Sequence, residues 1–264
     1  MYESPTDRLT TRLSGGRLTV GFDHGDENRI DYAVLEALTS VCRRAADDPE
    51  VRVLALTGAR GTFSAGAAPD MGPWPERFGH RRPEGSHGSA PLPEQDALRA
   101  LRSLMKPTVA VLEGAASGLA LDLACVCDLR LALPDARIGD PRVSNGTAAS
   151  TGIAYVLPRL IGQSQAMRIL LLGETLDAAE ALRIRLVHRI VDTVEEAEAA
   201  IATIADMPTR AWEVHKMQVL GQLDLDFESA MVHSLGIRQT HVIEDRIEGV
   251  QAWRERREPR FTGR

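Results

Sequence analysis

Apolar and polar positions follow two different periods in the first half of the chain. Residues 18–22 and 51–58 are short apolar runs typical of buried strands, whereas the apolar positions of residues 32–46 recur at the spacing of one helix face. The same order of strand, helix and strand is repeated over residues 106–114, 118–127 and 128–133. Because strands that alternate with helices usually pair in parallel, the pattern predicts an α/β fold with a largely parallel sheet.

Beyond about residue 154 the strand pattern fades and helical periodicity takes over. Amphipathic helices are predicted over residues 165–172, 178–184, 195–205, 210–220 and 227–255, the last with a break. We therefore divide the chain into an α/β core of residues 1–200 and a helical C-terminal region of residues 201–264. Residues 72–93 hold five prolines and four glycines without periodicity, which indicates a mobile loop.

Composition narrows the class of protein. A net charge of −6 without a long basic run gives no footprint for a nucleic-acid partner. No apolar window reaches 18 residues and the start does not resemble a signal peptide, so we expect a cytoplasmic protein with no membrane partner.

Cysteine and histidine usage indicates no metal site. Cys42, Cys125 and Cys127 lack the second ligand pair that a zinc site needs, and buried free thiols are the simpler interpretation. His80 and His87 fall in the predicted loop without a partner at ligand spacing, so we predict exposed histidines there.

Two small-residue segments carry the candidate chemistry. Phe63-Ser-Ala-Gly-Ala-Ala follows a predicted strand, where small side chains leave backbone N–H groups accessible to a ligand oxygen. Taken alone, such a run is more often a tight turn. The second segment begins at Glu113-Gly-Ala-Ala-Ser-Gly and opens an apolar helix, whose N-terminus favours negative charge. Together the two segments could supply a two-donor oxyanion hole.

These segments resemble the crotonase (enoyl-CoA hydratase/isomerase) superfamily in order and spacing. Pro158-Arg-Leu-Ile-Gly, Ala179-Glu-Ala-Leu-Arg-Ile-Arg-Leu-Val and the ending from Glu244 extend the resemblance over nearly the whole chain. The resemblance implies a β-β-α spiral core and a helical C-terminal trimerisation region, assembled as a homotrimer or homohexamer. It also implies an acyl-CoA substrate, with coenzyme A as part of that substrate and no separate cofactor.

The resemblance assigns roles to the two segments. The backbone N–H groups of Ala67 and Gly118 would form the oxyanion hole that polarises a thioester carbonyl and stabilises its enolate. Ala65 and Gly66 would contact the substrate beside them, and the loop of residues 72–93 would lie near the acyl group.

The chain departs from the hydratase pattern where that pattern has two glutamates. The first position is Asp122, one methylene shorter, which keeps a carboxylate for proton transfer. The second is Arg142, which carries only donors and cannot take a proton from water. Arg142 either binds a substrate carboxylate or enolate, or is an ion-pair partner of Asp122, and Asp140 in Gly139-Asp-Pro-Arg either replaces the lost carboxylate or is a turn residue.

Other positions bear on the substrate. Ser150 and Thr151 place hydroxyls where the acyl group is expected, or cap a helix. The resemblance places Glu27 where many relatives carry a basic residue near the CoA phosphates. An acidic residue there weakens the expected salt bridge, so a carrier-protein thioester stays an alternative to an acyl-CoA substrate. Basic residues close to the C-terminus either reach those phosphates or form a solvated helix end: Arg256, Arg257 and Arg260.

Three functional hypotheses follow. The first is an enzyme that holds an enolate at Ala67 and Gly118 while Asp122 moves a proton, giving isomerisation, addition or elimination, with water addition the commonest outcome. The second uses the same oxyanion hole for hydrolysis, decarboxylation or carbon–carbon cleavage, with Arg142 binding a substrate carboxylate. The third is a non-catalytic subunit that retains the fold and assists an active relative.

Overall fold

The computed structural model describes residues 6–78 and 92–264, and its main sheet has six strands in the order β1-β2-β3-β4-β6-β9. The strands of this sheet are β1 (Leu9–Ser14), β2 (Arg17–Phe22), β3 (Val53–Gly58), β4 (Thr108–Leu112), β6 (Leu129–Ala132) and β9 (Arg189–Ile190). β1 and β2 form an antiparallel hairpin, and each later neighbour pairs in parallel. The predicted α/β fold with a largely parallel sheet is confirmed.

A second, three-stranded sheet positions the candidate site. It consists of β5 (Ala115–Ser117), β7 (Arg137–Gly139) and β8 (Thr175–Asp177), with β5 parallel and β8 antiparallel to β7. Ser117 lies opposite Gly139 in this register. The residues that follow β5 and β7 therefore leave the sheet side by side.

Ten α-helices surround the sheets within the described residues. Their bounds are α1 (Tyr32–Asp47), α2 (Pro93–Ser103), α3 (Leu119–Val126), α4 (Ile153–Ile161), α5 (Gln163–Leu172), α6 (Ala178–Arg183), α7 (Val194–Asp206), α8 (Thr209–Gly221), α9 (Phe227–Thr240) and α10 (Asp245–Glu255). Asp31 caps α1 by accepting the N–H of Val34 at 2.9 Å. α1, α2 and α3 contribute to the larger apolar cluster with the main sheet.

The other face of the main sheet is covered by α7. Ile201 and Ala205 pack there against Val53 and Val109 in a separate apolar cluster. The division that we placed at residue 200 falls inside α7, which spans Val194–Asp206. By its packing against the main sheet, the whole of this helix belongs to the core. The purely helical region begins at α8.

The segments with clear periodicity form the helices and strands that were predicted for them, whereas elements with a weak pattern were not predicted. The sequence did not predict β1, because only Leu9 of its six residues is buried. It did not predict α2 either, because this helix begins at Pro93, the last residue of the predicted loop. Of that loop, residues 79–91 lie outside the described residues, and so do His80 and His87.

All three cysteines are buried free thiols, as predicted. Burial raises the pKa of Cys42 and of Cys125 to about 12. In the described parts of the chain, no group of three His, Cys, Asp or Glu side chains could hold a metal ion. No helix there is both long and apolar enough to cross a membrane.

Candidate active site

One cavity of about 730 Å³ gathers most of the predicted site residues. Its walls come from the segment after β3, the start of α3, the segment after β7 and the start of α2. The predicted residues that line it are Ala65, Gly66, Ala67, Gly118, Arg142, Ser150 and Thr151. Asp122 and Asp140 do not line it, being only 0% and 3% exposed.

Gly66 lets the two small-residue segments touch. A Cβ on Gly66 would lie 2.6 Å from the carbonyl oxygen of Ser117 and 3.6 Å from the nitrogen of Leu119. Its φ of +95° is also unfavourable for residues with a side chain. Only glycine therefore allows this approach of the chain to the first turn of α3.

Ala67 presents an unused N–H group to the cavity. Gly66 O accepts the N–H of Ile30 at 2.9 Å, and Ala68 N–H donates to Ile30 O at 2.8 Å. Because neighbouring peptide groups in an extended segment point to opposite sides, the N–H of Ala67 points away from Ile30. It donates to no other residue that the structure describes.

Gly118, the other predicted donor, is already engaged. Its N–H donates to the carbonyl of Gly139 at 3.0 Å, because the pairing of β5 with β7 extends to this residue. Leu119 also lines the cavity and is the first residue of α3, where an N–H group has no intrahelical acceptor. The N–H of Leu119 is therefore open, and it belongs to a residue that lines the cavity.

Arg142 is held between two buried carboxylates. Its Nη1 and Nη2 donate to the two oxygens of Asp122, each at 2.7 Å. Its Nε and Nη2 donate to the two oxygens of Asp140, at 2.8 and 2.6 Å. Four of its five N–H groups are thereby used. We call these three residues the ion triad.

The ion triad explains the electrostatics of Asp122. Burial raises the pKa of this carboxyl above its usual range, and hydrogen bonds from Arg142 and Thr151 oppose the rise. Burial acts to lower the pKa of Arg142, but its bonds to Asp122 and Asp140 outweigh that effect and raise it. Asp122 is thus a fully buried carboxyl group, and Arg142 and Thr151 lie between it and the cavity.

Ser150 and Thr151 are adjacent in sequence, but their hydroxyls donate to different carboxyl groups. The hydroxyl of Thr151 donates to Asp122 at 2.6 Å, as a third donor to that carboxylate. The hydroxyl of Ser150 donates to Oε1 of Glu94 at 3.1 Å. Both hydroxyls therefore serve carboxylates, and neither caps a helix.

Glu94 is a cavity residue that the sequence did not reveal. It lies in the first turn of α2, and among the described lining residues it is the one that carries a carboxylate. The only signal in the sequence was an acidic residue behind Pro93, which is typical of any helix start.

The predicted CoA contacts differ in their environment. Nε of Arg29 lies 2.7 Å from a carboxylate oxygen of Glu27. Arg29 lines the cavity, and Glu27 does not. Near the C-terminus, Arg257 pairs with Glu248 and Glu255, and the backbone N–H of Arg260 donates to Glu248. Arg256 ends α10 and is exposed. Arg29 is thus the basic side chain beside the predicted oxyanion segment.

The two sheets, the C-terminal helices and this cavity are the features expected of the crotonase superfamily, and comparison with known proteins agrees with that assignment. The family model described as enoyl-CoA hydratase/isomerase matches residues 18–264, so the chain belongs to this family, the crotonase superfamily. The predicted crotonase fold is therefore confirmed.

Individual relatives narrow the comparison. The chain is 34% identical over 246 residues to (E)-benzylidenesuccinyl-CoA hydratase of Thauera aromatica, with 89% of this chain and 91% of that protein covered. It is 30% identical over 249 residues to the Probable enoyl-CoA hydratase echA8 of Mycobacterium bovis, with 90% of each covered. An enoyl-CoA hydratase structure from Geobacillus kaustophilus superposes with a TM-score of 0.84 at 26% identity, covering 98% of both chains.

Proposed function

We propose that this chain is an enzyme that binds an acyl-CoA thioester and stabilises its enolate without the two-glutamate mechanism of hydration. The observation that carries the proposal is the unused N–H of Ala67 beside the first turn of α3 in one cavity. A thioester oxygen bound there would meet two backbone donors, the N–H of Ala67 and the N–H of Leu119 at the N-terminus of α3. Donors of this type stabilise negative charge as it develops.

The ion triad restricts which reactions such an enolate can enter. Ordinary hydration requires one carboxylate to activate water and another to act on the neighbouring carbon, and Arg142 occupies the second position with donors only. Asp122 is separated from the cavity by Arg142. Reactions that need one acid/base group next to the thioester are therefore favoured: isomerisation first, then single-base addition or elimination.

Arg29 supports coenzyme A as the thioester carrier. It lies at the cavity beside Ala67, whose carbonyl oxygen accepts its Nη1 at 3.2 Å. Its side chain is one-third exposed, which leaves it free to move toward a phosphate. Glu27 is its present ion partner, and a phosphate would compete for the same guanidinium.

The C-terminal helices support a homotrimer or homohexamer. None of the side chains of α9 is buried, and large apolar residues there and on α10 are strongly exposed: Phe227 (74%), Val232 (73%), Ile247 (75%) and Trp253 (79%). Apolar surface of this extent usually marks an interface. We expect light scattering to give three or six times the chain mass of 28.7 kDa.

The test is a panel of enoyl-, dienoyl- and malonyl-type CoA thioesters with product analysis by mass spectrometry. Ala67→Pro removes the proposed N–H donor and should lower kcat by roughly 100- to 1000-fold, the usual effect of losing one oxyanion donor. Ala67→Ser keeps the N–H and is the matched control, and circular dichroism checks that both variants fold. Equal activity of the two variants would contradict the role of Ala67.

A non-catalytic subunit is the second candidate. The ion triad favours it, because four of the five N–H groups of Arg142 bind carboxylates of this same chain and are not available to a substrate. Saturable turnover by the purified chain alone would exclude this role. Absence of turnover on the whole panel, with thioester binding also absent, would favour it.

A further inference from the structure

We infer that Glu94 is the general acid/base of this site, in place of the two glutamates that Asp122 and Arg142 replace. The inference rests on the proposed function, because it assigns the proton transfer that an enolate mechanism needs. Three observations carry it: the position of Glu94, the state of its two oxygens and the shortage of other acid/base groups in the cavity.

The start of α2 holds Glu94 against the cavity. Pro93 is the first residue of the helix and fixes the backbone there. The side-chain amide of Gln95 donates to the carbonyl of Ser150 at 2.7 Å, which ties this helix start to the segment before α4. The helix start and this hydrogen bond thereby fix the position of Glu94 at the cavity.

The two oxygens of Glu94 are in different states. Oε1 accepts the hydroxyl of Ser150 at 3.1 Å. Oε2 is buried and accepts no hydrogen bond from any part of the chain that the structure describes. An unpaired buried carboxylate oxygen is unfavourable and rare in proteins unless a ligand, water or function uses it. The Ser150 bond orients the carboxyl group and leaves Oε2, on a residue that lines the cavity, as the oxygen without a donor.

Other groups in the cavity cannot replace Glu94. The ionisable residues lining its described walls are Arg29, Tyr32, Glu94, Arg137 and Arg142. Arginine is always protonated and donates only, and a tyrosine hydroxyl is a much weaker acid than a carboxyl group. Asp122 and Asp140 have both oxygens bound to Arg142. Glu94 is therefore the one carboxylate among these residues with a free oxygen.

A single carboxylate suffices for the transfer of a proton next to a thioester. In a shift of a double bond from the β,γ to the α,β position, Glu94 takes the proton from the α carbon and becomes neutral. The electron pair moves onto the thioester oxygen, where Ala67 and the N-terminus of α3 stabilise it. The same proton then returns to the γ carbon and the carboxylate is restored, so that no oxidant, reductant or co-reactant is required.

The experiment measures deuterium incorporation at the α carbon. Purified protein is incubated in D₂O with butyryl-CoA, octanoyl-CoA and phenylacetyl-CoA, and the mass gain is followed over time. Binding of the same thioesters is measured separately by calorimetry. Glu94→Gln should lower the exchange rate by roughly 100-fold or more, the usual contribution of a general base, while thioester affinity is retained. Glu94→Asp should restore part of the rate.

Glu195→Gln is the matched control. Glu195 is the second residue of α7, as Glu94 is of α2, but it is exposed and lies outside the cavity. We expect this variant to exchange at the rate of the unmodified protein. Equal exchange by Glu94→Gln would overturn the inference and leave the proposed function standing. Equal loss of affinity and exchange would make Glu94 a binding residue and also overturn it, whereas thioester binding without any exchange by the unmodified protein would overturn both proposals.

Discussion

Two walls of the same cavity use carboxylates in opposite ways. Behind one wall, Asp122 and Asp140 are bound by Arg142, which does line the cavity, and every one of their oxygens accepts a hydrogen bond. On the other wall, one oxygen of Glu94 is bound to Ser150, and the other is buried with no partner among residues 6–78 and 92–264. The first arrangement stabilises structure, because each of the four carboxylate oxygens accepts a hydrogen bond from the shared guanidinium. The second is suited to chemistry, because a free oxygen can exchange a proton.

The largest expected effect comes from breaking the ion triad. Arg142→Ala leaves two buried carboxylates side by side without a counter-charge, and we expect the free energy of unfolding to fall by about 3–5 kcal/mol. Chemical denaturation at neutral pH measures it. The control is Arg137→Ala in the same cavity. Its exposed guanidinium donates to the backbone carbonyls of Asp135 and Ala136, so the loss of unfolding free energy should stay within about 0.5 kcal/mol. Equal effects of the two variants would contradict the contrast between the walls.

The loss of unfolding free energy caused by Arg142→Ala should be smaller at low pH than at neutral pH. Burial already raises the pKa of Asp122 in the folded state, and Arg142 opposes that rise. Without Arg142 the folded pKa rises further, so the folded state binds a proton more readily than the unfolded state does. Stability from this group is present at low pH and is lost as pH rises through the folded pKa. The difference between variant and unmodified protein should therefore shrink on acidification, and a constant difference from pH 7 to pH 5 would contradict this account.

The smallest expected effects separate the two walls through two adjacent hydroxyls. Thr151→Val removes a donor from buried Asp122 and should lower the free energy of unfolding by about 1–3 kcal/mol. Ser150→Ala removes an exposed donor from Glu94 and should change it by no more than about 0.5 kcal/mol. In the deuterium-exchange assay the order should reverse, with Ser150→Ala the slower variant. The same order in both measurements would show that the walls are not functionally distinct.

The periodicity of the sequence was sufficient for the central elements of the fold. Helix α1 and strands β2 and β3 have continuous apolar faces, and they were predicted almost to the residue. β1 was not, because a strand that buries one residue of six has no clear period. Three-residue strands such as β5 are likewise too short for periodicity to identify.

The candidate site was predictable in proportion to how local its contacts are. Arg142 and Asp140 are two residues apart, and the pairing of Arg142 with Asp122 was one of two interpretations open from the sequence. Glu94 and Ser150 are 56 residues apart, and nothing in either neighbourhood indicates that they meet. The engagement of Gly118 by Gly139 likewise depends on the register of β5 against β7. Contacts of this kind are set by tertiary packing.

The close approach at Gly66 has a consequence for how such proteins diversify. The groups it brings together are main-chain amides, which every residue except proline carries, so most substitutions at Ala67 or Leu119 leave them in place. Side chains around the cavity can therefore be exchanged without losing these amide donors. Hydrogen-bond donors that are built into the backbone leave the side chains around them free to change.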